Sequence, residues 1–515
     1  MKRKPNDYLW LLNYADALER NLQPDMAWRV RRHAWTTIRR DVQKNERPQR
    51  ELLQAQARIA AQFMPGDQGA AVIRELLRLD AGADTISPDP DRRGIDAATR
   101  ELVLAWTIST EQYLAAKAWL WMQYARNLAQ PAWAEVNVAL AHNDLETLQR
   151  ALEQYADAIP PYDRHEAARR TQQYRLAQDI AFTELERLPH DDEMHLRLTQ
   201  SVLDMASYTE VGVTNFRRGT IRGNEFSGEV AVWVTPRLRM SFDVSYVDQE
   251  LLNTAALATV PSRDRVYGVT ALWRHAVGET RLSIFNRVAL AETTGFRVVH
   301  QHPLAPRLTG RVGLAYNERT VETSALAAGG ARDQMFLDLI YTLSKREYAL
   351  GHMFANRYYT QDERTHIGSA YGLHWEAGHR FRTEYPDWHV RAAGSINHFS
   401  LSGTGDAATA ALNPAGTIPT ASFFLPGSFS TYGLYTGFGT FYRTNYTRAL
   451  RPFLDLGVLH NTVTGNGYSA LAGVSGSVWG ADRLTFYVST GRGGTGVNEL
   501  SREIGLRYMY LFDHF

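Results

Sequence analysis

From about Ser207 to Phe512 the apolar residues of this chain recur at every second position. A period of two puts alternate side chains on opposite faces of a strand, so each segment has one apolar face that needs a dry neighbour. "FSGEVAVWV" sets Phe226, Val230, Val232 and Val234 against Glu225, Ser227 and Glu229. "RLRMSFDVSYVDQ" sets Leu238, Met240, Phe242, Val244 and Tyr246 against Arg239, Ser241, Asp243 and Ser245. Met335, Leu337, Leu339 and Tyr341 oppose Asp338; Leu450, Leu454, Leu456 and Val458 oppose Arg451 and Asp455; Leu484, Phe486 and Val488 oppose Arg483 and Thr485. The final stretch, "REIGLRYMYLFDHF", sets Ile504, Leu506, Tyr508, Tyr510 and Phe512 against Glu503, Gly505 and Arg507.

The connections between these segments alternate in length. Short turns are expected near Thr235-Pro236, Val277 to Glu279, Pro303 to Pro306, Ser344-Lys345, Tyr385 to Asp387, Thr447-Arg448 and Gly480-Ala481. Longer loops are expected at Arg217 to Gly223, Leu251 to Asp264, Val321 to Ala331, Tyr359 to Thr365, Ser402 to Ser428, Thr462 to Gly467 and Gly491 to Glu499, with a shorter one near Glu292 to Gly295. Threading strands between them gives about sixteen, and an even count with short turns on one side and long loops on the other is the pattern of an outer-membrane barrel. The competing reading, a soluble sandwich, accounts for the alternation but not for the turn asymmetry. No run of about eighteen apolar residues occurs, which excludes a spanning helix and leaves a spanning barrel open. The last strand is then expected to pair with the first, with Tyr508, Tyr510 and Phe512 in an interfacial aromatic belt.

Before Ser207 the composition differs. Residues 1–206 are rich in Ala, Leu, Arg, Glu and Gln, and apolar positions recur at three and four, as at Leu11, Tyr14, Ala15, Leu18, Ala27, Val30 and Ala34. "LQPD" breaks this run, with Asp25 placed to cap a second helix. Ala15, Ala27 and Ala34 follow the small-residue spacing that resembles a tetratricopeptide repeat, and looser helix pairs turn at Pro65 to Asp67 and at His142 to Asp144. "ISPDPDRRG" reads as a loop. The expected fold is therefore α+β and multi-domain: a helical-repeat scaffold over 1–206 and a sixteen-stranded antiparallel barrel over 207–515.

The net charge of +1 gives no overall field that would favour nucleic acid. The absence of Cys removes disulfides, thiolate metal sites and Cys nucleophiles. "MKRKPNDYLW" has a basic cluster without an apolar segment behind it, so an exported chain of this kind is expected to carry its signal upstream of Met1. "GRGGTG" (Gly491 to Gly496) matches a dinucleotide fingerprint only formally, because a strand-rich tail follows instead of a helix. His190 and His195 in "PHDDEMHLR" are misplaced for one helical turn and read as a capped helix start, and "HEAAR" at His165 lacks a second His. No catalytic, cofactor-binding or metal-ligating constellation is expected.

Sixteen strands enclose a lumen wide enough for water. The faces opposite the apolar ones are expected to line it with Glu225, Glu229, Arg239, Asp243, Arg307, Arg311, Asp338, Asp455, Arg483 and Arg507, which suits many weak contacts with a hydrated polar chain. "EIGLRYMY" and the terminal Phe resemble the assembly signal of bacterial outer-membrane proteins, through Glu503, Gly505, Tyr508, Tyr510 and Phe515.

"NDYLWLLNYADALE…PDMAWRVRRHAW", the linker "IPPYDRHEAARR" and the barrel that follows resemble the exopolysaccharide secretion porins of Gram-negative bacteria, nearest those of the Pel type. The resemblance covers essentially the whole chain. It implies export of a cationic, partly deacetylated amino-sugar polymer, a PelC-like ring of small outer-membrane lipoproteins, and contact between the repeats and a periplasmic deacetylase-hydrolase. It also implies a longer protein, with an N-terminal membrane anchor and further repeats. For a cationic polymer, Glu225, Glu229, Asp243, Asp338 and Asp455 would carry the transient pairing, and the loop Ser402 to Ser428 could fold over the mouth. The alternatives are an outer-membrane barrel enzyme and a protein-translocating pore.

Overall fold

The computed structural model describes residues 7–21, 23–44, 50–63, 66–83, 95–124, 131–305, 307–344, 346–383, 385–414, 417 and 420–512. "ISPDPDRRG" and Phe515 lie outside them. The chain divides into two compact units, one ending at Asp204 and the other starting at Met205.

The first unit is helical: α1 (Tyr8–Arg20), α2 (Pro24–Lys44), α3 (Arg50–Phe63), α4 (Asp67–Ala83), α5 (Ala97–Ser109), α6 (Tyr113–Tyr124), α7 (Ala132–His142), α8 (Leu145–Gln154), α9 (Pro161–Arg170), α10 (Tyr174–Arg187) and α11 (Asp192–Leu203). Ala15, Ala27 and Ala34 are fully buried between α1 and α2, beside Leu11, Val30 and Ile38 and with Leu52, Ala55 and Ile59 of α3. A methyl side chain is all that such close helix approach admits. The pairing recurs further along, where Val136, Ala139, Leu148, Ala151, Ala167, Ala168, Ala177 and Ile180 form one core across α7 to α10. Asn143 takes a left-handed conformation after α7, and Asp144 caps α8 by accepting from the Thr147 amide at 3.2 Å. Asp191 caps α11 by accepting from the Met194 amide at 3.0 Å, so "PHDDEMHLR" is a helix start. Asp25 is not the cap expected of it: Pro24 opens α2 and Asp25 falls in the first turn, as Pro's missing N–H and fixed φ favour.

The second unit has sixteen strands: β1 (Ser207–Arg218), β2 (Ile221–Thr235), β3 (Leu238–Leu251), β4 (Arg263–Arg274), β5 (Glu279–Val288), β6 (Glu292–Ala305), β7 (Leu308–Arg319), β8 (Gly330–Thr342), β9 (Glu347–Thr360), β10 (His366–Arg382), β11 (Trp388–Leu401), β12 (Phe429–Phe438), β13 (Arg451–Asn461), β14 (Gly465–Gly476), β15 (Asp482–Arg492) and β16 (Leu500–Phe512). They form one closed ring in sequence order. β1 meets β16 antiparallel from Ser207 opposite Phe512 to Arg218 opposite Ser501, which leaves no free edge. Val213, Phe226, Val230, Phe242, Val458, Phe486, Ile504 and Leu506 stand on the outer face without cover from the chain. The end where β1 starts is called proximal below, and the other distal.

Four connections differ from expectation. Thr462 to Gly467 shrinks to a turn over 462–464, and Glu292 to Gly295 is strand, with the turn at 289–291. Arg217 to Gly223 is largely strand, because Gly219 at φ +58° lets β1 and β2 join through Gly219-Thr220 alone. Thr447-Arg448 belongs to a longer proximal connection, 439–450, that includes a short helical turn at Thr440–Arg443.

Inside the wall, aromatic rings lie over glycines on the neighbouring strand: Phe285 over Gly295, Phe336 over Gly313, Tyr435 over Gly457 and Tyr487 over Gly505. A Cβ at any of these glycines would collide with the ring. Gly457→Leu should therefore force Tyr435 into the lumen at a cost of ~1–3 kcal/mol, read as a smaller folded fraction by heat-modifiable gel mobility.

In α9, His165 is fully buried, and among the described residues neither ring nitrogen has a hydrogen-bond partner. Burial holds its imidazole below the ordinary His value, Arg197 and Arg169 adding to the effect against Glu166 and Asp204. The unfolded chain then takes up the proton first. The helical unit is expected to keep its full stability above about pH 6.5 and to lose it progressively below. Helical melting followed at about pH 7.5 and about pH 5.5 checks this, and His165→Leu should remove the slope.

Candidate functional site

The lumen has two chemically different walls. On β2 and β3 stand Glu225, Glu229 and Asp243, the two glutamates held by neutral donors. Ser245 Oγ donates to Glu225 at 3.0 Å, and Tyr208 OH donates to Glu229 at 2.9 Å. Glu229 is directly opposite Asp243, whose carboxylate lies over Gly268. Among the described residues none of Glu225, Glu229 and Asp243 forms an ion pair. They border a cavity of about 310 Å³ with Glu210, Arg218, Glu503 and Arg507. Arg218 pairs with Glu503 at 2.9 Å, and Glu210 lies 3.7 Å from Arg483. Like charges directly opposite on adjacent strands repel, so this wall offers a cation a favourable place.

The other wall is internally neutralised. Arg391 forks onto Asp455 at 2.8 and 3.0 Å and lies 3.4 Å from Glu376. Arg297 and Arg332 share Glu318 at 2.7 and 2.9 Å. Asp338 is clasped between Arg311 and His352 and is 1% exposed. Asp338 and Asp455 therefore face inward as expected but are occupied by partners, which corrects their assignment as free polymer contacts. A charge already paired and desolvated has little left to give a passing ligand.

The remaining expected lining residues divide. Arg311 faces the lumen on β7; Arg239 stacks on Tyr208 and Trp233 at 5.6 and 5.5 Å; Arg507 lies over Tyr487 at 5.9 Å. Arg483 donates to the Thr444 carbonyl, drawing the 439–450 connection to the proximal mouth. Arg307 is not on the wall: it sits in the turn after β6, exposed, and donates to the Leu343 carbonyl at 2.6 Å. Of the C-terminal residues, Glu503 and Gly505 face inward, whereas Tyr508 faces outward, donates to Asp482 at 3.2 Å and meets Trp479 edge-on. Tyr510 stacks along Phe512 on the same outer face.

Across the distal end lies a second apolar core. Leu257 from loop 252–262, Ala325, Leu326 and Ala328 from helix α12 (Ser324–Gly329), and Leu412, Phe424 and Leu425 from loop 402–428 pack together on Tyr358, Ile367 and Ala370. That last loop carries two further short helices, α13 (Ala407–Ala410) and α14 (Ala421–Phe424). The expected cover loop is thus one of three contributors. Two hydrogen bonds tie the closure across the ring. The Ala258 amide donates to the Leu412 carbonyl at 2.8 Å, joining the β3–β4 loop to the β11–β12 loop. Ser324 Oγ donates to Glu499 at 3.2 Å, joining the β7–β8 loop to the β15–β16 loop. Each tie links hairpins eight places apart in a ring of sixteen, so both span a diameter. Arg287, 1% exposed, forks onto Asp264 at 3.0 and 2.9 Å and donates to the carbonyls of Ala327 and Gly330 at 2.9 and 3.2 Å, fixing the end of α12 to the wall.

A closed antiparallel sixteen-strand barrel with a bare apolar outer band and a charged lumen is an outer-membrane barrel of the porin class. Residues 203–511 match the family model described as PelB, C-terminal beta barrel domain, and the chain belongs to that family. Residues 1–40 match a tetratricopeptide repeat model. Among solved structures, a bacterial polysaccharide outer membrane secretin is similar at 9% identity, over 60% of this chain and 99% of its own, with a TM-score of 0.45. Pseudomonas aeruginosa OccK11 (OpdR) is similar at 10% identity over 60% of this chain and 96% of its own, with a TM-score of 0.34. CdiB from Acinetobacter baumannii follows at 7%, 59% and 60%, with 0.35. No curated protein matches the chain.

Replacing Leu412 and Phe424, both fully buried in the distal core, by Ser should weaken the closure by ~3–5 kcal/mol for the Phe alone. The expected result is a higher open fraction in single-channel recordings from planar bilayers.

Proposed function

We propose that this chain exports a cationic amino-sugar exopolysaccharide of the Pel type through the outer membrane. The observation that carries the reading is the wall of Glu225, Glu229 and Asp243: three carboxylates that form no ion pair among the described residues, gathered on one side of a lumen whose other side holds the matched pairs Arg391–Asp455, Arg297–Glu318 and Arg311–Asp338. Membership of the PelB barrel family supports it. Ammonium groups of a passing chain exchange among these acids, each contact weak enough to release. Arg239, Arg311, Arg483 and Arg507 hydrogen-bond the sugar hydroxyls. The proximal end faces the periplasm, where the helical unit docks a PelC-like lipoprotein ring and a polysaccharide deacetylase-hydrolase. Glu503, Gly505, Tyr508, Tyr510 and the terminal Phe515 serve as the assembly signal. Neither the enzyme nor the protein-translocation alternative is favoured by a specific observation.

In the background of the opened distal core, oligomers of glucosamine should block single-channel current and neutral glucans should not. Glu229→Gln with Asp243→Asn should weaken that block about five- to tenfold per charge removed. Equal block by neutral glucans would overturn the charge-matching mechanism. The absence of native Cys allows a direct test of orientation: Asn253→Cys, on the exposed distal loop, should react with an impermeant maleimide on intact cells.

A further inference from the structure

The outer wall carries a basic row that passage through the lumen does not use. Arg217 of β1 is directly opposite Arg222 of β2 on one side and Arg502 of β16 on the other. All three are exposed, and the strand alternation puts them outside: Arg217 shares its face with Val211 and Val213, Arg222 with Phe226 and Val230, Arg502 with Ile504 and Leu506. Opposed residues on adjacent strands have Cβ atoms about 4.5–5.5 Å apart, and like charges so placed destabilise the pair. Glu250 relieves only one, accepting from Arg222 at 2.6 Å. Among the described residues Arg217 and Arg502 have no hydrogen-bond or ion-pair partner.

The position of the row along the barrel suggests what compensates it. One rung nearer the middle, Asn215 donates to Asn224 at 2.8 Å. The next rung is apolar: Val213, Phe226 and Leu506. The arginines therefore stand just beyond the apolar band at the distal end, level with lipid headgroups. A planar guanidinium binds a phosphate through two parallel hydrogen bonds, and three side by side fit a ligand with more than one phosphate. We propose that Arg217, Arg222 and Arg502 form a binding site for the phosphate groups of a phosphorylated glycolipid in the outer leaflet, of the lipid A kind. The proposal takes the distal end as the outer one, as in the proposed function.

The test uses the full chain in detergent and measures binding of diphosphoryl lipid A, its dephosphorylated form and inorganic phosphate. The native chain should bind diphosphoryl lipid A, and Arg217→Gln with Arg502→Gln should weaken binding at least tenfold. Because that change removes a repulsion, the lipid-free melting point of the variant should not fall, which separates loss of the site from loss of the fold. Arg357→Gln, an exposed arginine on β9, should leave binding unchanged. Unaltered binding in the double variant, equal binding of the dephosphorylated lipid, equal displacement by inorganic phosphate, or equal loss with Arg357→Gln would each overturn the site. Binding in detergent does not depend on orientation, so a failure here is distinct from a failure of surface labelling at Asn253→Cys.

Discussion

Everything in the second unit depends on the hydrogen-bonded seam between β1 and β16. In hydrocarbon no water replaces a missing backbone partner, and each unpaired group costs several kcal/mol. The unbroken register from Ser207–Phe512 to Arg218–Ser501 removes that cost. It also decides which side chains face where, because a slip of one residue would exchange the two faces of a strand. The same register that brings Glu225, Glu229 and Asp243 inside puts Arg217, Arg222 and Arg502 outside.

Charge inside the barrel is distributed by pairing. Arg391 reaches Asp455 across an intervening strand, beside the His389 ring that lies over Gly437, which is opposite Asp455. These matched pairs stiffen one side of the wall and leave its field short-ranged. The other side keeps Glu225 and Glu229 on hydroxyl donors, so their charge projects into the lumen. The molecule thus combines a neutral rail with an acidic one, an asymmetry that a count of acidic and basic residues would not disclose.

Alternation by two was enough to read strand number, closure and the inward direction of Glu225, Glu229 and Asp243, because each lies in a segment whose opposite face is strongly apolar. What pairs with what was hidden. Asp455 and Arg391 are 64 residues apart and two strands apart, and Asp338 meets His352 only because β8 and β9 are in register. Arg307 reads as wall when the turn after β6 is placed too early. Gly219 turned an expected loop into a tight hairpin through a backbone conformation that composition does not signal. The distal closure was the least legible element, since Ala258 and Leu412 come from opposite sides of the ring and only the closed barrel brings them together.

The rings laid over glycines have a consequence for transport. An aromatic side chain that projected from the wall would make a deep well for each sugar that stacked on it, and a polymer would have to climb out at every step. Tyr435 and Tyr487 instead lie back over Gly457 and Gly505, with Arg391 and Arg507 over their rings at 4.8 and 5.9 Å. The surface that a long chain meets there is then low in corrugation: these rings do not stand out to trap a sugar, and friction per residue stays small however many residues are in contact.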